Sequence, residues 1–141
     1  MTVAELISKE ELTGQRLMDI YGAAYMDAHV DADGDVTLMV DGIKILVSVD
    51  TPRSVLRLVA LFGVKPGVSR PQLLELCNRI NDGLIMLRAA YPAALPQPSL
   101  MVDHYLVTEA GLSGLEIVDE TRRFRTVVAS IPPLDVENIL S

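Results

Sequence analysis

The chain has 141 residues, enough for one domain with a sizeable core; 50% of them are apolar, mean hydropathy is +0.32 and the formal net charge is −7. No apolar run approaches the roughly 20 residues of a membrane helix, since Arg57 interrupts the most apolar stretch, and a lone Cys77 excludes an internal disulfide. Residues 1–50 hold ten Asp/Glu against three Lys/Arg, whereas residues 51–141 hold nine of each, so the excess negative charge lies in the first third, where it repels nucleic acid and anionic membrane and favours basic partners.

In chain order, Thr2 with Glu5 matches a capping box and predicts a short first helix. Thr13 caps a clearer helix over Thr13–Tyr21, with Leu17, Met18, Ile20 and Tyr21 inward and Gly22 as its stop. Residues 23–30 form a weak first strand, and "DVTLMV" alternates cleanly as a second. Asp41-Gly42 signals a hairpin into "IKILVSV". "VLRLVALF" is apolar at both parities except Arg57, the pattern of a central strand covered on both sides. Ser69 and Gln72 form a capping box for a helix burying Leu73, Leu76, Cys77, Ile80 and Leu84 and ending at Gly83. "LIMLRAAY" and "SLMVDHYLVT" are the next strands. Ser113 and Glu116 cap the last helix, which carries Ile117, Thr121, Phe124, Val128 and Ile131 and stops at Pro132-Pro133. The apolar tail over residues 132–141 is expected to dock on the fold.

No repeat or linker divides this series. The expected fold is α+β: an antiparallel sheet of about six strands with helices packed on it, in the order α-β-β-β-β-α-β-β-α, forming a single domain over residues 1–141 with its core at 13–131.

"LLELCNRIND" on the middle helix and "GLSGLEIVDETRRF" at the last one, above all Cys77-Asn78-Arg79-Ile80-Asn81 and the Gly-Leu-Ser opening, resemble the YbjN family of bacterial proteins over about Thr13 to Ile131. The resemblance implies the fold of type III secretion chaperones, small acidic α/β proteins that dimerise and hold an unfolded segment of a client. It also brings the label of a sensory transduction regulator, which names no chemistry, and it carries no catalytic residue over.

The remaining motifs point to shape. "HVDADGDV" places Asp31, Asp33 and Asp35 like the start of a calcium loop, but Val36 stands where that loop needs glycine and Gly42 where it needs glutamate. A hairpin bending at Asp33-Gly34 explains the same letters. Asp27, His29 and Asp31 alternate on one strand face, which reads as the wet side of an edge strand, with an adventitious divalent cation as the weaker alternative. Cys77 sits on an apolar helix face and reads as packing, and nothing in the chain order brings it to His104. "GVKPG" lacks the spacing of a phosphate loop. Asn78 and Asn81 suit either a partner contact or a hydrogen bond to nearby backbone. Arg122, Arg123 and Arg125 form the densest basic cluster; Arg122 and Arg123 are expected to pair with Asp119 and Glu120 one turn away, with a partner helix or a second subunit's acidic first third as a further target.

These features predict a cytoplasmic, non-enzymatic interaction domain without metal or cofactor, homodimeric and chaperone-like, that binds a protein or peptide client. The expected contact residues are Val55, Val59, Leu61, Asn78, Asn81, Arg122, Arg123, Phe124 and Val128. The alternative is a small-ligand sensor with a pocket between sheet and helices.

Overall fold

The computed structural model describes residues 5–141. Thr2 and the capping box expected there lie outside them. Where the short first helix would have run, Leu6–Ile7 are extended as β1. The chain then forms α1 (Gly14–Ala23), β2 (Asp27–Val30), β3 (Val36–Val40), β4 (Ile43–Asp50), β5 (Val55–Gly63), α2 (Arg70–Gly83), β6 (Arg88–Ala90), β7 (Ser99–Val107), β8 (Leu112–Ser113) and α3 (Gly114–Val128). Strands β2 to β7 make one antiparallel sheet in the order β2-β3-β4-β5-β7-β6, and β1 pairs with β8 beside it. This is the expected α+β arrangement.

Each helix starts where its cap dictates. The side chains of Thr13, Ser69 and Ser113 accept hydrogen bonds from the first-turn amides of Arg16, Gln72 and Glu116, and the last two caps are closed into full boxes by Gln72 and Glu116. Gly22 does not stop α1. The helix runs on to Ala23, and Tyr25, at φ 60°, supplies the left-handed residue that turns the chain. Helix α3 ends at Val128, before Ile131. Ile131 still packs in the core, at the start of the 3-10 turn Pro132–Leu134.

The two Asp-Gly signals resolve differently. Asp41 and Gly42 are both left-handed, and Val40 pairs with Ile43, so this is a two-residue hairpin. Between β2 and β3 only Gly34 is left-handed, inside a five-residue loop. Asp31 organises that loop: its carboxylate accepts from the amides of Asp33 and Asp35, and its own amide donates to the Asp35 carbonyl. The fifth strand in the expected order, β6, is also shorter than "LIMLRAAY" implies, because Met86 is left-handed and Ile85 faces solvent.

Packing is one-sided. Leu38, Ile45, Val47, Leu56, Leu58, Ala60, Val102 and Leu106 of the sheet share one core with Leu17 and Tyr21 of α1, Leu76 and Ile80 of α2, and Ile117, Phe124 and Val128 of α3. Tyr21 is fully buried, with its hydroxyl 2.9 Å from Thr121 Oγ1, and burial pushes its phenol up to about 12. The tail docks on β5: the Lys65 amide donates to Ile139, the Ser141 amide donates to Gly63, and Asp135 accepts from the amides of Ile139 and Leu140.

The β2–β3 hairpin is seated on the start of α1. A methyl group on Gly14 would collide with the carbonyl oxygen of Gly34, whereas one on Gly22 would meet open space. Gly14→Ala is therefore expected to lower the unfolding free energy by about 1–3 kcal/mol through overpacking. Gly22→Ala is expected to raise it by about 0.5–1 kcal/mol through helix propensity. Urea unfolding of both variants checks the opposite signs.

Candidate protein-binding face of the sheet

The pleat puts alternate residues of each strand on opposite faces. The even-numbered residues of β5 meet the helices. The odd-numbered ones, Val55, Arg57, Val59 and Leu61, lie on a face that no described helix covers. Strand β5 is therefore central, as expected, but covered on one side only.

The register builds this open face row by row. One row crosses all six strands: His29, Thr37, Leu46, Val59, Asp103 and Arg88. Leu61 faces Met101, Arg57 faces Tyr105, and Val55 faces Val107 in neighbouring rows. Leu61, Met39, Tyr105 and Val107 are 47%, 45%, 41% and 68% exposed, which makes the face apolar and wet.

A carboxylate lies on it midway along β7, one strand in from the sheet edge. The Asp103 side chain has no solvent exposure although no described helix lies above it. Arg88 grips it with two nitrogens, Nε to Oδ1 at 3.1 Å and Nη2 to Oδ2 at 2.8 Å. Arg57 adds Nε at 3.2 Å and Nη2 at 2.8 Å, both to Oδ2. Both guanidinium carbons stand 5.7 Å from the ring centre of Tyr105, so the cations lie between the carboxylate and an aromatic face. Burial alone would push the Asp103 carboxyl up. The hydrogen bonds from Arg88 and Arg57, with their charges, outweigh it and hold the group below the ordinary carboxylate range. Sequence reading registers Arg57 only as an interruption. The available signal was a pair of opposite charges, Arg57 and Asp103, each inside an apolar strand.

The other expected contact residues are scattered. Val59 is buried among its neighbours on the open face, beside half-exposed Val55 and Leu61. Phe124 and Val128 have no exposure, because the helical period that marks them as apolar points them into the core. Asn78 is exposed on α2. Asn81 holds β6 in place: its Oδ1 accepts from the Ala89 amide at 2.7 Å and its Nδ2 donates to the Ala89 carbonyl at 3.2 Å. Arg122 and Arg123 are exposed and do not pair with Asp119 or Glu120. Glu120 meets His104 instead, and Arg122 reaches the Ala24 carbonyl at 3.3 Å. Arg125 donates to the carbonyls of Val40 and Asp41.

Burial pushes the Cys77 thiol up, away from the reactive thiolate. Among the described residues no three of His, Cys, Asp and Glu converge closely enough to hold a metal ion. Among them, too, no helix is long and apolar enough to cross a membrane.

The clamp sets a pH dependence and a coupling. A carboxyl whose folded pKa lies below its unfolded one adds stability above about pH 4, and that stability is lost as pH falls through the folded value. Asp103→Asn is expected to flatten the acid limb of the stability curve. Arg57→Met and Arg88→Met each leave one cation on Asp103, whereas the double variant leaves a buried charge alone. Its loss is expected to exceed the sum of the single losses by about 1–3 kcal/mol, and additivity in urea unfolding would refute the shared clamp.

Among curated proteins, none matches the sequence of this chain. Solved structures share its fold. The crystal structure of YbjN from E. coli superposes with a TM-score of 0.75 at 14% identity, covering 90% of this chain and 94% of that one. A chain of the HopA1-SchA chaperone-effector complex gives 0.58 at 14% identity, covering 84% and 89%. The Yersinia pestis type III secretion chaperone SycH, in complex with a stable fragment of YscM2, gives 0.55 at 12% identity, covering 86% and 98%. The fold is therefore chaperone-like, as the sequence resemblance implied. Residues 13–131 match the family model described as "Putative bacterial sensory transduction regulator", and the chain belongs to the YbjN family.

Proposed function

We propose that this protein is a non-enzymatic, chaperone-like interaction domain that holds a segment of a client protein against the open face of its sheet. The observation that carries the reading is the one-sided packing: the described helices lie on one face, and the other presents Leu46, Val55, Leu61, Met101 and Val107 beside a clamped charged cluster. Such a face suits an extended apolar segment, whose side chains alternate at the spacing of the strands beneath. The two chaperones of similar fold were each solved with an effector or a fragment of another protein, which supports a protein client for this chain. The acidic first third favours basic flanks on that client.

The sensor reading needs an enclosed pocket with converging polar groups. A cleft of about 640 Å³ lies between α1 and α3, but it is open to solvent and mostly apolar.

A homodimer belongs to the same proposal, because the apolar share of the chain exceeds what its own core uses. Light scattering after size exclusion is expected to give twice the mass of 15.4 kDa, and the monomer mass would refute dimerisation. The client reading has a separate test. Protein purified from its native host is expected to carry a bound polypeptide, and Leu61→Glu with Val107→Glu is expected to weaken that binding at least about tenfold with the fold retained by circular dichroism. Undiminished retention would sink the sheet-face assignment.

A further inference from the structure

Away from the sheet face, α1 and α3 run side by side. Gly114 lies against Ile20, the Tyr21 hydroxyl meets Thr121, and Arg122 reaches Ala24. Their outer surfaces form a groove with Ile7, Ile20 and Val118 among its lining and Ala23 and Leu115 beside them. Leu115 is 65% exposed, an expensive placement for a leucine without a partner.

The charges at this groove run against the rest of the molecule. Arg16 stands on α1 one turn before Ile20, and Arg122 stands on α3 beside Ala24, so the two guanidiniums mark opposite ends. Two turns of helix, about 12 Å, separate those ends. Neither arginine forms an ion pair among the described residues, including with Glu5 at the rim, and residues 1–4 contain no carboxylate. On a chain of net charge −7 this is an apolar groove flanked by two arginines that form no ion pair among the described residues.

Tyr25 adds a further mark. It is 98% exposed at the end of α1, and it holds a left-handed backbone that bulky side chains rarely adopt. An exposed aromatic anchor at the edge of an apolar groove is the kind of residue that dominates binding between proteins.

We infer that the α1–α3 groove is a second docking site, chemically distinct from the sheet face, for an acidic amphipathic segment of a protein partner. Apolar side chains of the segment fill the groove, its carboxylates meet Arg16 and Arg122, and Tyr25 closes over one end. In a helical occupant those carboxylates fall about eight residues apart. The inference does not depend on the sheet face, and the two sites prefer partners of opposite charge.

The test uses two fluorescent helical peptides of about fourteen residues with the same leucines at i, i+3, i+4 and i+7. One carries glutamates about eight residues apart flanking the leucines, and the other carries lysines at those positions. The whole protein is expected to bind the glutamate peptide at least about tenfold more tightly. Arg16→Gln with Arg122→Gln is expected to erase that preference, and Ala23→Trp, which fills the groove, to weaken the glutamate peptide with the fold retained. Leu61→Glu with Val107→Glu is expected to leave it unchanged, which separates this site from the sheet face. Equal affinity for the two peptides, binding of neither, or a preference that survives loss of both arginines would overturn the proposal. So would an Ala23→Trp variant that changes the mass in solution but not peptide binding, since the groove would then belong to a second copy of the chain.

Discussion

A pleated sheet has two faces, and the described helices of this chain cover one of them. That constraint orders the rest of the molecule. The even-numbered apolar residues of β5 and β7 share the core with Tyr21, Ile80, Phe124 and Val128, while the odd-numbered residues of the same strands form the other face, where exposed Leu61, Tyr105 and Val107 surround buried Val59 and Asp103. A sheet stabilised only by its own pairing would leave that second face free to associate at random. Here Asp103 sits on β7, one strand in from the edge, under two arginines, so the face is apolar but carries a fixed charged cluster.

The clamp explains how a carboxylate can be buried without a helix above it. Four hydrogen bonds satisfy the two oxygens of Asp103. The stems of Arg57 and Arg88 cover it, and Tyr105 supports both cations. Exposed ion pairs contribute little, about 0–1 kcal/mol each. The energetic weight lies in the cost of leaving Asp103 without a partner, which is why the two arginines act as one unit. The same arrangement ties β5, β7 and β6 together on the side where hydrophobic packing is thinnest. It keeps the rows Leu46–Val59 and Leu61–Met101 in a fixed relation to one another.

Local signals were legible in the sequence where the physics is local. Ser69 with Gln72 and Ser113 with Glu116 name their own helix starts, and Asp41-Gly42 names its own turn. Antiparallel pairing of consecutive strands followed from turns too short for parallel crossovers, whereas the place of β7 between β5 and β6 did not. What the sequence could not supply was register. Arg57 and Asp103 are 46 residues apart, and Arg88 and Asp103 are 15 apart, so only pairing across β5, β7 and β6 shows that they meet. The same limit misplaced Phe124 and Val128, since helical spacing shows that a face is apolar but not whether a neighbour covers it. It also hid Arg122, whose nearest acids in sequence are not its partners in space.

The chain belongs to the YbjN family and shares its fold with type III secretion chaperones, and the open sheet face is the feature through which we propose it acts. Oxidative footprinting of side chains by mass spectrometry, on the free protein and on the protein with its bound client, tests that claim most directly. The account predicts protection at Met39, Leu61, Met101, Tyr105 and Val107 in the complex. Protection confined to the helices, with these five residues as reactive as in the free protein, would contradict it.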